Sequence, residues 1–309
     1  MSMQNTSHIL MVRPANFQYN VQTAASNDYQ QDIKHLTSEE IRRKAQAEHD
    51  GFVAMLRSQG VDVTVIEDTE TPIKPDAIFP NNWISMHEDG KVYLYPMKNE
   101  NRALERRKDI IELLGEKFKI EEVIDLSHFE REDRALEGTG SIVFDHKCKV
   151  AYACLSPRTD KEIFEFYCKK IGYRPIVFSA YDHRDKLIYH TNVVMCVGDG
   201  FVVIGLCAVK DEREKQMLIT TFKESDLEII DLTSEQLNQN FAGNMLQVIN
   251  HKGEKILVMS ERAFLSLSKD QVNRIQKHTE ILAVPVYLIE DIGGGSARCM
   301  MAEIFCPAK

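Results

Sequence analysis

Four stretches of this chain read as β-hairpins, and they recur at almost the same interval. They are "WISMHEDGKVYLYPM" (83–97), "SIVFDHKCKVAYACL" (141–155), "VVMCVGDGFVVIGLC" (193–207) and "LQVINHKGEKILVMS" (246–260). In each, two β-rich runs flank a short polar or glycine turn, the pattern of a tight antiparallel connection. A helical pattern follows every hairpin, at 101–118, 160–171, 211–224 and 268–278, and a short strand follows every helix: "VIDL", "PIVFSA", "EIIDL" and "LAVPVYLI". Thr159-x-x-Glu162 and Ser268-x-x-Gln271 carry capping-box signatures for two of the helix starts. The repeating unit is strand, strand, helix, strand.

The residues that open the hairpins set the period. Asn82, Glu137, His190, Asn244 and Cys299 lie 55, 53, 54 and 55 residues apart, a regularity that marks a repeat architecture. The fifth unit stops after "CMMAEIF", while an unpartnered strand, "HILMVRP" (8–14), and a helix over 38–60 stand near the other end. Each unit must bury its apolar face against a neighbour, so pairing the first strand with the last completes the fifth unit and removes the raw ends. The expected fold is α/β: a five-fold pseudosymmetric α/β propeller, closed, and forming a single domain over residues 1–309. An open α/β sheet of two sub-domains is the alternative.

Composition narrows the function classes. With 309 residues, 43% of them hydrophobic, the chain can bury a large core without a disulfide or a metal. A formal charge of −9 with no basic stripe argues against a nucleic-acid partner. The longest apolar run, "FVVIGLCAV" (201–209), is too short to span a bilayer, and "MSMQNTSHIL" lacks the parts of a signal peptide. The protein therefore reads as cytoplasmic, with no membrane partner and a small molecule as its ligand; self-association is left open. Six of the seven cysteines read as core or strand residues, without C-x-x-C spacing. The histidines show no metal-ligand spacing, so neither a metal nor a cofactor is expected.

If rotation relates the five units, their opening residues meet at one end of the axis and bring a thiol, an imidazole and a carboxylate together. A cysteine nucleophile needs a base, and the base needs a third group to orient it; such partners are adjacent in space and not in sequence. Cys299, His190 and Glu137 meet that requirement. Alone, His190 would read as a hydrogen-bonded strand histidine and Glu137 as a solvated turn residue; their phase with Cys299 makes them candidates. Gly293, Gly294 and Gly295 just before the thiol can adopt positive φ and leave no Cβ in the way. No Lys-Ser/Thr pair follows them, so they do not form a phosphate loop.

Four motifs, "GGGSARCM" around Cys299, "LEGTGS" around Glu137, "YHTN" around His190 and "LSPRT" around Arg158, together resemble the guanidine-modifying enzymes of the amidinotransferase superfamily, the penteins, which include arginine deiminase, dimethylarginine hydrolase and glycine amidinotransferase. The resemblance covers nearly the whole chain. It implies that Cys299 attacks the substrate's central carbon to form a covalent thiouronium-type intermediate, that His190 protonates the leaving amine and then activates water, and that Glu137 orients His190 and accepts hydrogen bonds from the substrate. It implies that Arg158 grips the α-carboxylate, which a guanidinium fork does well. Arg106 is the second carboxylate binder implied, with Arg107 as the competing choice.

Two positions depart from the deiminase pattern. Where deiminases place aspartates, this chain has Asn82 in "FPNNW" and Asn192 in "HTN". An ionised aspartate only accepts hydrogen bonds and attracts a cation, whereas an asparagine is neutral and also donates. That suits a ureido group better than a guanidinium, and the resemblance is closest to the citrulline-utilisation branch. The function it implies is a cysteine-nucleophile hydrolase acting on the ureido or guanidino carbon of a small amino acid, citrulline-like or arginine-like, with citrulline preferred. Two alternatives remain: an amidinotransferase, which uses the same intermediate, and a non-catalytic binding protein of the same fold. The second has no reason to keep all three reactive residues in phase.

Overall fold

The computed structural model describes residues 3–309. Strand β1 (His8–Arg13) pairs in parallel with β2 (Asp62–Glu67), and the helix Ser38–Ser58 makes the crossover between them. Four units follow in order: β3 (Ile84–Met86), β4 (Lys91–Leu94) and β5 (Glu122–Asp125); β6 (Val143–Asp145), β7 (Val150–Cys154) and β8 (Arg174–Phe178); β9 (Met195–Gly198), β10 (Phe201–Ile204) and β11 (Glu228–Asp231); β12 (Leu246–Ile249), β13 (Lys255–Ser260) and β14 (Glu280–Val284). In each, the first two strands are antiparallel and the third lies parallel to the second. A parallel return needs a crossover, and the intervening helix supplies it. The last strand, β15 (Ala302–Glu303), pairs antiparallel with β1, Ile9 opposite Glu303 and Leu10 opposite Ala302. The two ends of the chain thus build the fifth sheet, in the order β15-β1-β2. The fold is mixed α/β, with five three-stranded sheets of one pattern among the described residues.

Local chemistry explains the elements. In Ser38–Ser58 the buried residues Ile41, Ala45, His49, Phe52, Val53 and Leu56 recur at helical spacing and form one apolar face. Burying Phe52 or Leu56 contributes about 1.5–3 kcal/mol each. Thr37 and Glu40 close a reciprocal cap at the start of this helix. The expected Ser268–Gln271 capping box also forms. The other expected box moves by one residue: Asp160 caps the helix Lys161–Ile171, accepting from Ile163 N at 3.0 Å. Thr159 is turned inward, donating to Ser141 Oγ at 2.8 Å.

Three other expectations are corrected. The helix expected over 101–118 is two pieces, Glu100–Ala103 and Lys108–Lys117. Arg102 is buried and bonded twice to Glu105, at 2.8 and 2.9 Å, which draws the first turn inward and interrupts the helix. The strand expected over "LAVPVYLI" ends at Val284, and Tyr287–Gly293 is helical. Glu48 of the long helix accepts from the N–H groups of Leu288 and Ile289 and so satisfies the start of that helix. Cys154, Cys168, Cys196 and Cys306 are buried, but Cys148 and Cys207 are exposed, one in the β6–β7 turn and one in the turn Leu206–Ala208. No helix among the described residues is long and apolar enough to cross a membrane.

Each hairpin is entered through a tight turn, and the five periodic residues sit there. Asn82 ends Pro80–Asn82, Glu137 and His190 immediately precede Gly138–Ser141 and Thr191–Val194, Asn244 lies in the turn before β12, and Cys299 is inside Ala297–Met300. The segment before β1 ties the units together at their hairpin-turn side. Met3 N donates to Glu88, Gln4 Nε2 to the carbonyls of Phe144 and Val197, and Thr6 Oγ1 to Ile304 O. In return Gln4 Oε1 accepts from His146 N and Thr6 O from Ile249 N. Every unit receives at least one of these bonds.

Candidate active site

Cys299 is buried in its turn, and its N–H bonds Ser296 O at 2.9 Å. Two amides from other units aim N–H groups at Sγ: Asn244 Nδ2 at 3.2 Å and Asn192 Nδ2 at 3.4 Å. Donors so placed solvate negative charge developing on sulfur. Asn192, expected to touch substrate, therefore faces the nucleophile. Of the three glycines, only Gly294 has a positive φ, +61°, where it caps the helix Tyr287–Gly293 in the left-handed region. Gly293 and Gly295 serve close packing instead: a Cβ on either would lie 2.8 or 3.1 Å from the Phe79 ring.

His190 Nε2 lies 2.8 Å from Glu137 Oε2. Burial pushes the imidazole down to about 4, against the opposing pull of Glu137. Burial alone would raise Glu137, but Arg158, His190 and Arg102 together outweigh it and hold the carboxyl well below its ordinary value. At neutral pH the pair is a carboxylate and a neutral imidazole. The carboxylate needs a donor, which puts the ring proton on Nε2 and leaves Nδ1, buried and without a hydrogen-bond partner, as the free base. The main chain orients Glu137 through Lys98 N, which donates to Oε1 at 3.0 Å. Gly140 lets these groups meet, because a Cβ there would lie 2.4 Å from Asn82 Nδ2 and 2.7 Å from the His190 ring.

Arg158 Nη1 stands 3.6 Å from Glu137 Oε2, and the guanidinium stacks over Tyr189 at 4.9 Å. Its Nε and Nη2 bond Ser26 Oγ at 3.1 and 2.8 Å. Asn82 lines the same chamber, accepting from Arg102 Nη1 at 3.0 Å and donating to Asn81 Oδ1 at 3.1 Å. The chamber encloses about 10 Å³, room for about one water. Residues Asn20–Gln31 cover it, with Asn27 Nδ2 bonded to Gly293 O at 3.2 Å and Gln31 N to Asp291 O at 2.7 Å.

Arg106 is not brought into this group. Its fork closes on Glu130 at 2.5 and 2.9 Å and on Tyr95 O at 3.1 Å, outside the chamber. Arg107 likewise turns to Asp109 and Glu67 O. The arginine of this stretch that does line the chamber, with Arg158, is Arg102, four residues before Arg106. Asp76 was also missed. It is buried in the chamber wall with Oδ2 accepting from Asn20 Nδ2 at 2.7 Å and Oδ1 unpartnered. Burial holds its carboxyl above the ordinary value despite Arg102 and Asn20. The only sequence signal for Asp76 was its place six residues before Asn82, in "PDAIFPNN".

Several known proteins are similar to this chain. The family described as N,N dimethylarginine dimethylhydrolase, eukaryotic, matches residues 13–306. No curated protein matches by sequence. Among solved structures, ArgZ without ligand, an arginine dihydrolase from the ornithine-ammonia cycle in cyanobacteria, superposes with a TM-score of 0.75 at 17% identity, over 97% of this chain and 41% of that one. Unliganded AgrE gives 0.76 at 18% identity, over 98% of this chain and 40% of that one. The chain thus spans about two fifths of the length of those two proteins. A dimethylarginine dimethylaminohydrolase bound to 4-chloro-2-hydroxymethylpyridine gives 0.66 at 17% identity, over 97% of this chain and 100% of that one. At these identities the structural likeness is one of fold. The sequence match reaches further, since it runs from residue 13 to residue 306: the chain belongs to the N,N dimethylarginine dimethylhydrolase family of the pentein superfamily.

Proposed function

We propose that the chain hydrolyses the guanidino group of an arginine-like amino acid through a covalent intermediate on Cys299. The observation that carries this reading is the shared chamber, where a sulfur held by two amide donors meets a neutral His190 backed by an ionised Glu137. The thiol proton passes to Nδ1 of His190 as Sγ bonds to the guanidino carbon. The carbon–nitrogen bond then breaks and the imidazolium returns that proton to the leaving amine. Water next gives a proton to Nδ1 while its oxygen bonds to the carbon, and as the carbon–sulfur bond breaks the imidazolium returns that proton to sulfur, which restores the thiol and the neutral imidazole. Arg158 takes the α-carboxylate. An amino acid does not fit a space of about 10 Å³, so the covering segment Asn20–Gln31 withdraws to admit it.

Asp76 changes the weight of the two asparagines. A buried guanidinium needs an anion; Glu137 supplies one, and the unpartnered Oδ1 of Asp76 offers an acceptor that Asn82 and Asn192 do not. A second reading, hydrolysis at a ureido carbon as in citrulline, is supported by those neutral amides. The two readings connect chemically, because removing one amine from a guanidino group leaves a ureido group. ArgZ and AgrE, one of them solved with ornithine and NAD+, lend this sequence weight. The pairing of β15 with β1 supports reading residues 1–309 as one closed ring and one catalytic domain.

The test is to incubate the protein with arginine, citrulline, dimethylarginine and agmatine. Released ammonia or dimethylamine and the remaining amino acid are quantified, and intact-protein mass reads the adduct. Arginine should be consumed and a trapped adduct should map to Cys299. Cys299→Ala should abolish both at an unchanged Tm; turnover retained in that variant ends the mechanism.

A further inference from the structure

Glu290 is a buried carboxyl that the chemistry above does not use. It sits in the middle of the helix Tyr287–Gly293, nine residues before the nucleophile, and is 0% exposed, as is Ser296. Burying a carboxyl is costly unless it is partnered. Its partners come from the nucleophile turn and from the end of β13 with the helix that follows it, where Ser260 also bonds the carboxyl. Ser296 Oγ donates to Oε1 at 2.6 Å, and Arg262 Nε stands 3.0 Å from Oε2 while its Nη2 holds Asp291 at 2.8 Å. The Glu290 carbonyl accepts from Gly294 N at 2.9 Å, and the Ser296 carbonyl accepts from Cys299 N at 2.9 Å.

An ion pair from Arg262 to Glu290 and the hydrogen bonds through Ser296 form a continuous chain to the backbone of Cys299. Between the two ends lie three glycines, the residue type with the most backbone freedom to lose. Without a tether on Ser296, that stretch can place the thiol in several ways. The placement in the structure puts Sγ between the amides of Asn192 and Asn244. The covering segment docks on the same helix end, through Gln31 on Asp291 and Asn27 on Gly293.

We propose that Glu290 is a positioning residue which, by gripping Ser296, fixes the turn that holds Cys299 Sγ between the two asparagine amides. This rests on the reading of Cys299 as the nucleophile. Glu290 touches no reacting atom and acts only through Ser296.

The experiment compares Ser296→Ala, Glu290→Gln, Glu290→Ala and the Glu290→Ala/Ser296→Ala pair in the full chain. It reads kcat, KM, Tm and the rate of iodoacetamide labelling of Cys299, resolved from exposed Cys148 and Cys207 by peptide mass spectrometry. A displaced nucleophile costs on the order of 10²-fold, so Ser296→Ala should lower kcat by roughly that factor with KM nearly unchanged, and should alter Cys299 labelling but not Cys148 labelling. Glu290→Gln keeps an acceptor for Ser296 and should recover most of the kcat that Glu290→Ala loses. The paired variant should be no worse than the poorer single one, because both remove one connection. Ser296→Ala with unchanged kcat and unchanged Cys299 labelling overturns the proposal, as do losses that multiply in the paired variant. If the parent protein turns over none of the substrates, the functional reading has failed, and Cys299 labelling alone still decides this one.

Discussion

Replacing Arg158 by alanine separates substrate recognition from catalysis within one side chain. In the structure its guanidinium faces two ways, towards Glu137 Oε2 at 3.6 Å and over the Tyr189 ring at 4.9 Å. If it also receives the α-carboxylate, the lost charge-assisted pair costs about 1.5–3 kcal/mol. That is about 10- to 150-fold in kcat/KM for arginine. Agmatine has no carboxylate, so this loss does not apply to it. A second effect applies to both substrates. Arg158 is the strongest of the influences holding Glu137 down, so without it burial drives the Glu137 carboxyl upward. The acid limb of the rate profile should then move to higher pH, since Glu137 must be ionised to orient His190. The assay is kcat/KM for arginine and agmatine from about pH 3 to 9 in both proteins, a range that includes the acid limb. An arginine-specific loss together with a shared shift of the acid limb is expected. Equal losses for the two substrates would refute the carboxylate clamp, and an unmoved acid limb would refute the electrostatic coupling to Glu137.

Three further outcomes follow from the structure. Asn82→Asp keeps the acceptor used by Arg102 but adds a negative charge in the chamber of Asp76, so the arginine-to-citrulline ratio of kcat/KM should rise; an unchanged ratio means that position 82 does not read charge. Burial pushes His87 and His190 down to about 4 and His146 to about 3, from an ordinary 6.5. The unfolded chain therefore binds these protons first, so their contribution to stability is complete above about pH 6.5 and is lost as the pH falls towards 4; a Tm that stays flat over that range contradicts neutral buried imidazoles. Deleting residues 1–6 removes the bonds of Gln4 and Thr6 to Phe144, Val197, His146, Ile249 and Ile304. At about 0.5–1.5 kcal/mol each, denaturant unfolding should register a loss of several kcal/mol, and a midpoint that does not move would show that the segment is not a tie between the units.

The repeat, and with it the meeting of Glu137, His190 and Cys299, was legible because its signals are local. A hairpin turn, an amphipathic helix and a parallel return strand each follow from short-range backbone and burial preferences, and a constant interval carries their phase along the chain. Closure of the fifth sheet followed from the same reasoning, since the unfinished unit at one end matched the spare strand at the other. Where a local rule had two acceptable outcomes, the tertiary structure chose. Thr159 and Asp160 can both cap a helix, and the inward pull of Ser141 on Thr159 left the cap to Asp160. "LAVPVYLI" can be a strand, yet Glu48 of a distant helix satisfies the free N–H groups of Leu288 and Ile289 and makes its second half helical.

Side-chain destinations were decided almost entirely by the fold. Arg102, Arg106 and Arg107 are chemically equivalent in "NRALERRKD", and only the placement of Glu105, Glu130 and Asp109 sends the first into the chamber and the others away. The covering segment Asn20–Gln31 has no periodic signal, because its order comes from bonds to residues far along the chain, such as Asn20 to Asp76 and Asn27 to Gly293. Asp76 and the two amides on Sγ belong to the same class. Periodicity depends on neighbours a few residues apart and can be read along one chain, whereas the partner of a buried charge is set by which units pack together, and that is fixed only once the chain has folded.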